Sequence, residues 1–299
     1  MMAPAAAKGA PEPRHFFTVD VEEYFQVRAL ELVVNRDEWS RWPRRLDESI
    51  PVLLDRMEKH GAKGTFFVLG WVAEHSPQIV RSIAAAGHEV ASHGYWNRRV
   101  VTMTPAEFRE DIRASRRALE DITGTHVLGF RAPNFSILPG WEWAFDILLE
   151  EGYRYDSSVF PIRRPGYGNP AAPRVPHMLV RPSGSLAEFP LATTSVLGYT
   201  VPAAGGGYLR QFPFALIRKA FADASARGIP ATFYIHPWEL DPGQPRLKVP
   251  LLTRIRHYRG LDVTVGRLER LLGEFRFVSI ASMLDEVAEA WVAGRAARP

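Results

Sequence analysis

His15-Phe-Phe-Thr-Val-Asp-Val-Glu-Glu23 decides the fold class. Phe16, Phe17, Val19 and Val21 crowd into a run too short for a core helix, and acids close it. Such a run reads as a strand covered on both faces, the kind that builds parallel sheets. Working outward, Leu46, Ile50, Leu53, Leu54 and Met57 share one helical face, which predicts a helix over Leu46–His60 stopped by Gly61. Gly64–Leu69 (GTFFVL) reads as the next strand. Ser76 is placed to cap a helix with Pro77 at its first position, and Gly87 ends it. His88–Ser92 is a third strand. Thr104-Pro-Ala-Glu107 is a capping box, and Phe108, Ile112, Leu119 and Ile122 line the helix it opens. Strands at Val127–Arg131 and Tyr153–Ser157 flank a helix at Trp141–Glu151.

Beyond that the pattern is less regular. Pro161–Pro182 reads as a long surface loop, Leu186–Leu191 as a strand and Gly205-Gly-Gly207 as a flexible loop. A helix at Phe214–Arg227, a strand at Ala231–His236 and a second excursion at Asp241–Gly260 follow. A helix near Val265–Leu272, a strand at Phe275–Ile280 and a helix from Met283 end the chain. Strands alternating with helices predict an α/β fold, either a barrel or an open doubly wound sheet. No glycine-rich turn follows the first strand, which argues against a dinucleotide-binding Rossmann unit. Residues 1–14, rich in Ala and Pro, are expected to be a disordered tail, and 15–299 one domain.

The chain has 299 residues, 46% hydrophobic and 23% charged, an ordinary globular composition. It has no cysteine, so disulfides, iron–sulfur clusters and a Cys nucleophile are excluded. A net charge of +4 is compatible with an anionic partner. No basic run interleaved with aromatics supports a nucleic-acid partner. The first residues lack the apolar segment of a signal peptide, and no apolar run is long enough for a transmembrane segment. The expected location is cytoplasmic.

The candidate chemistry sits at strand ends. Alternation puts Asp20 and Glu22 on one face and Glu23 on the other. Two buried acids on one face need a cation or a shared proton; the plainer reading is a solvated strand end. His93 lies in Ala91-Ser-His-Gly-Tyr-Trp-Asn97, with Asn97 spaced to share one side of a helical turn. Arg131, in Phe130-Arg-Ala-Pro-Asn134, can grip a carboxylate with two N–H groups. Asp156 ends the fifth strand, and His236 ends a later one in Phe233-Tyr-Ile-His-Pro-Trp-Glu239. A histidine there suits general-acid work. In α/β barrels the active site gathers at such strand ends.

The ordered set Thr18–Gln26, Gly64–Trp71, Gly87–Tyr95, Gly129–Ile137, Tyr153–Pro161, Gly205–Tyr208 and Phe233–Glu239 resembles the polysaccharide deacetylases of carbohydrate esterase family 4. The resemblance is stronger to the branch associated with exopolysaccharide and exosortase gene clusters. It implies a distorted (β/α) barrel of seven or so strands with outer helices. The implied reaction is hydrolysis of N-acetyl groups on an amino-sugar polysaccharide, or on its lipid-linked oligosaccharide precursor. By the same resemblance Asp20 is the general base, Arg131 its orienting partner and His236 the general acid. Asp156 would tune the histidine, and the backbone N–H at Asn134 would help bind the oxyanion. A divalent metal, zinc first, would sit on Glu22, His93 and the residue at 97. The family has a second histidine there; Asn97 is a poorer ligand, which favours weak binding or another metal such as Mn or Mg. Two other readings follow from the resemblance: a non-catalytic carbohydrate-binding or accessory protein, and a ureide or imide amidohydrolase.

Overall fold

A computed structural model describes residues 13–164 and 166–296. Eleven strands occur among them: β1 (Arg14–Val21), β2 (Thr65–Val68), β3 (Glu89–Ser92), β4 (Gly129–Phe130), β5 (Tyr155–Asp156), β6 (His177–Arg181), β7 (Gly184–Glu188), β8 (Thr193–Val196), β9 (Tyr199–Pro202), β10 (Thr232–Ile235) and β11 (Arg276–Val278). Nine form one sheet in the order β10-β1-β2-β3-β4-β5-β7-β6, with β11 added to β1. Every pair is parallel except the β6–β7 hairpin. The ladder does not close completely. Between β7 and β10 a single bridge, Leu191 to Thr232, spans the gap, reinforced by the Ala192 N–H donating to the Thr232 carbonyl at 3.0 Å. The expected distorted barrel is therefore present, with its seam made by two residues rather than a strand.

The expected helices form around the sheet. Leu46–Lys59 buries Leu46, Ile50, Leu53 and Met57. At Pro105–Thr123 the capping box is complete: the Glu107 N–H donates to Thr104 Oγ1 and the Thr104 N–H donates to Glu107 Oε2. Phe108, Ile112 and Leu119 of that helix are buried. Phe16, Phe67, Ala91, Tyr155, Ala187 and Phe189 make a second apolar cluster, closed by Ile280, Met283 and Leu284.

Several expectations need correction. Ser76 precedes a helix at Pro77–Ala85, but its side chain makes no capping hydrogen bond. Pro161–Pro182 is not all loop, because His177–Arg181 pairs with β7. The β8–β9 hairpin was not expected. The second excursion contains a helix at Leu251–Tyr258. Gly205-Gly-Gly207 is not a flexible loop. Gly206 starts a helix to Gln211, and a Cβ at Gly205 or Gly206 would collide with Tyr234 or Glu239. Of the expected tail, Arg14 already belongs to β1, and residues 1–12 lie outside the described residues. Among the described residues no helix is long and apolar enough to cross a membrane.

Candidate active site

The alternation of β1 carries into the site. Phe16 lies in the second apolar cluster, while Thr18 and Asp20 both meet Arg131. Glu23, on the other face, accepts the backbone N–H groups of Arg45 and Leu46 at 2.9–3.3 Å. It thereby serves the exposed donors that begin the helix at Leu46, which leaves Glu22 as the second acid of the site.

Arg131 is fully buried at the end of β4. Its guanidinium lies 4.2 Å from the centre of the Phe67 ring. It donates to Asp20 Oδ1 at 2.8 Å, Thr18 Oγ1 at 2.7 Å, the Ser157 carbonyl at 2.9 Å and Ser157 Oγ at 2.7 Å. Burial alone would raise the pKa of Asp20, but Arg131, with His93 and His236, outweighs it and holds the carboxyl below its ordinary range. Asp20 is thus ionised and fixed in direction. Lys at 131 would keep the charge and lose the planar fork. Arg131→Lys should lower unfolding stability by about 2 kcal/mol, the cost of buried acceptors left without donors. Urea denaturation checks this, and a parent-like midpoint would mean that charge alone suffices.

His93 follows β3. Its Nδ1 donates to the Arg131 carbonyl at 2.8 Å, so Nε2 carries the lone pair. Burial lowers its pKa to about 4, which keeps the ring neutral near pH 7. His236 follows β10, with Nε2 4.0 Å from Asp20 Oδ2 and 3.4 Å from Glu22 Oε1. Its Nδ1 donates to Glu239 Oε2 at 3.1 Å, and its ring stacks on Trp238. Burial would lower the pKa of His236. The hydrogen-bonded Glu239, with the charges of Glu22 and Asp20, reverses this and lifts it to about 9.

Glu239 is the functional residue that sequence reasoning missed. The signal was the His236-x-x-Glu239 spacing, which brings the carboxylate back to its own histidine. Arg210 donates to Glu239 Oε1 at 3.1 Å in a pair only 2–3% exposed. Gly206 makes room for it, since a Cβ there would lie 2.1 Å from Glu239 Oε2. Burial would raise the pKa of Glu239, but His236 and Arg210 bring it down to about 2. Asp156, expected to tune the histidine, is placed elsewhere. It accepts from Ser158 Oγ and the Ser158 N–H, both at 2.7 Å, and stands beside buried Glu188. Burial and the shared negative charge push Glu188 well above the carboxylate range.

Asp20, Glu22, His93, Asn134, Phe135, Tyr167, Tyr234 and His236 enclose a cavity of about 180 Å³. Asn134 and Phe135 both adopt left-handed backbone (φ 56° and 52°), an unusual pair for side-chain-bearing residues. This places Asn134 on the cavity wall.

The residues expected to hold a metal do not make a complete set. His93 offers a free Nε2 and Glu22 a carboxylate. Asn97 does not share a helical turn with His93; it sits in left-handed backbone with φ 51°. Its amide Nδ2 donates to Glu22 Oε2 and, at 2.8 Å, to the Gln26 carbonyl. Both neighbours are acceptors, which fixes the amide with nitrogen toward Glu22. Its Oδ1 is buried without a hydrogen-bond partner. An amide N–H is no ligand, and a catalytic zinc site takes three protein ligands. Burial raises Glu22 to about 7, partly opposed by His236. Among the described residues no cluster of three or more His, Cys, Asp or Glu side chains could hold a metal ion.

The comparisons with known proteins agree with this fold. Residues 39–140 match the polysaccharide deacetylase family model, and residues 157–285 match a domain of unknown function, DUF3473. The peptidoglycan deacetylase of Helicobacter pylori is 31% identical over 113 residues, 37% of this chain and 36% of that protein. A peptidoglycan-N-acetylglucosamine deacetylase of Bacillus cereus is 34% identical over 98 residues, 32% of this chain and 36% of that protein. The chain thus matches about a third of the length of these curated relatives. A candidate polysaccharide deacetylase of Mycobacterium smegmatis, solved by crystallography, superposes with a TM-score of 0.65 at 21% identity, covering 97% of this chain and 96% of that one. The match to the polysaccharide deacetylase family thus spans residues 39–140. His93, Asn97, Arg131 and Asn134 fall within 39–140, and Arg210, His236 and Glu239 within 157–285, while Asp20 and Glu22 precede both.

Proposed function

We propose that this chain hydrolyses N-acetyl groups of an amino-sugar polymer. The observation that carries the reading is the buried pair facing one small cavity: Asp20, held ionised by Arg131, and His236, held protonated by Glu239. An acetamido group entering the cavity meets both. Water between Asp20 and the acetyl carbon gives its proton to Asp20 as its oxygen bonds to that carbon. Asn134 lines the cavity, and an oxyanion donor from its backbone would be worth about 3 kcal/mol. His236 passes a proton to the nitrogen as the C–N bond breaks. The products are acetate and a free amino sugar. The relatives' names, peptidoglycan deacetylase and peptidoglycan-N-acetylglucosamine deacetylase, support this substrate class. Acetate release from N-acetylglucosamine oligomers tests it; no release from any N-acetylated glycan at saturating protein overturns it.

Asn97 turns an N–H donor toward Glu22, so the position at 97 supplies no third ligand beside Glu22 and His93. A second reading, a glycan-binding protein on the same fold, is favoured by that same contact, and the acetate assay separates the two. Asn97→His replaces the amide with imidazole beside Glu22 and His93. Calorimetric titration should show zinc bound at least about tenfold tighter than by the parent, since imidazole suits zinc better than an amide does. Equal affinities would show that position 97 is not where the expected site fails.

A further inference from the structure

Beside the catalytic cavity lies a larger cleft of about 410 Å³. Asn134 lines both, and Asn97, whose amide holds Glu22, lines the cleft. The two spaces therefore share a wall at Asn134. The cleft wall carries Arg28, Arg36, Arg98 and Arg99 against a single carboxylate, Glu31. Arg98 is paired with Glu107 at 2.9 Å. Arg36 donates to backbone carbonyls, those of Trp96 at 2.9 Å and Asn97 at 3.4 Å, and forms no ion pair among the described residues, though buried Asp111 feels its charge. Arg28 and Arg99 form no ion pair among the described residues. On the other side, a groove of about 420 Å³ shares Tyr167 and Tyr234 with the catalytic cavity. It adds Arg164 and Arg256, and no carboxylate lines it.

A neutral glycan gives these guanidinium groups nothing to balance. Like charges gathered in a cleft raise the local concentration of anions, and the guanidinium fork matches a carboxylate with two parallel hydrogen bonds. Resting on the deacetylase reading, we propose that the polymer is acidic: the sugar next to the one being deacetylated carries a carboxylate, which Arg28, Arg36 and Arg99 bind.

The test compares two oligosaccharides of equal length, one of N-acetylglucosamine alone and one alternating N-acetylglucosamine with glucuronate. Calorimetry reads binding, and acetate release is read in parallel. The acidic oligomer should bind at least about tenfold more tightly, and the preference should shrink as salt rises. In the Arg28→Gln/Arg99→Gln double variant the ratio of acidic to neutral affinity should fall about tenfold, with the melting temperature confirming that the variant folds. Equal binding of the two oligomers by the parent, binding of neither, or an unchanged ratio in the variant overturns the proposal. Acetate release without acidic preference leaves the deacetylase reading standing and removes this one. Arginine-dependent preference without acetate release from either oligomer keeps the carboxylate-binding cleft and counts against deacetylation of these two substrates.

Discussion

Asp20→Asn and His236→Ala should each lower the rate of acetate release at least about a hundredfold, the usual worth of a positioned proton-transfer group. The two losses have different physical origins. Asn at position 20 keeps the size of the side chain and can still accept from Arg131, but it cannot take a proton from water. Ala at position 236 removes the acid and leaves Glu239 with Arg210 as its remaining charged partner. Both side chains line the cavity at strand ends, but Asn at position 20 leaves buried Arg131 without its counter-charge, which can cost about 3–5 kcal/mol, so each variant must first be shown to fold. Circular dichroism and a thermal melt establish that before rates are compared. Effects of groups acting as one unit do not add, so the double variant should be little slower than the worse single one. Two near-normal single variants of an active parent would mean that the reaction happens elsewhere.

Much of this site was legible because strand alternation is strict. One parity along β1 places Thr18 and Asp20 on Arg131, while Glu23, two residues past the strand's end, turns to the helix start at Leu46. The capping box at Thr104 was equally legible, since it needs only local geometry. The β6–β7 hairpin was not. Its first strand, His177–Arg181, is half-buried along most of its length and sits within a segment rich in Pro, Arg and Gly, so no clean alternation marks it. The three glycines at 205–207 resemble a flexible linker in sequence, yet close packing explains the first two. Only contact with Tyr234 and Glu239, residues about thirty positions later, shows why a side chain is excluded. Asp156 misled for a related reason. Its position at a strand end suggested a role beside the histidine, but its hydrogen bonds are made with its near neighbour Ser158.

Both matched segments contribute to the same cavity. Arg131 and His93 come from the deacetylase match, while His236 and its clamp come from the part matched only to a domain of unknown function. The acid of the proposed reaction therefore depends on residues that the deacetylase match alone does not contain. β10 carries His236 because it pairs with β1, the strand that carries Asp20. The separation of acid from base is consequently set by a sheet register rather than by a loop.

Glu239→Gln should move the pH profile as well as lower the rate. In the parent, burial pulls the His236 pKa down, and the Glu239 carboxylate together with the charges of Glu22 and Asp20 more than compensates, giving about 9. Removing the negative charge of Glu239 destabilises the imidazolium, so the pKa falls and the alkaline limb of activity shifts to lower pH. At pH 8 the protonated fraction drops, and turnover should fall by about tenfold to a hundredfold. At pH 6 much of the loss should be recovered, because the ring can again be protonated. Nuclear magnetic resonance of the imidazole reads the same shift without substrate. The variant also leaves Arg210 buried without its counter-charge, which can cost about 3–5 kcal/mol. Gly206→Ala provides the control for that effect. It keeps both charges, but its Cβ would lie 2.1 Å from Glu239 Oε2 and must push the carboxylate off His236. A lowered histidine pKa in both variants assigns Glu239 the task of keeping His236 charged. An unmoved pKa in both would show that Glu239 only fills space beneath the ring.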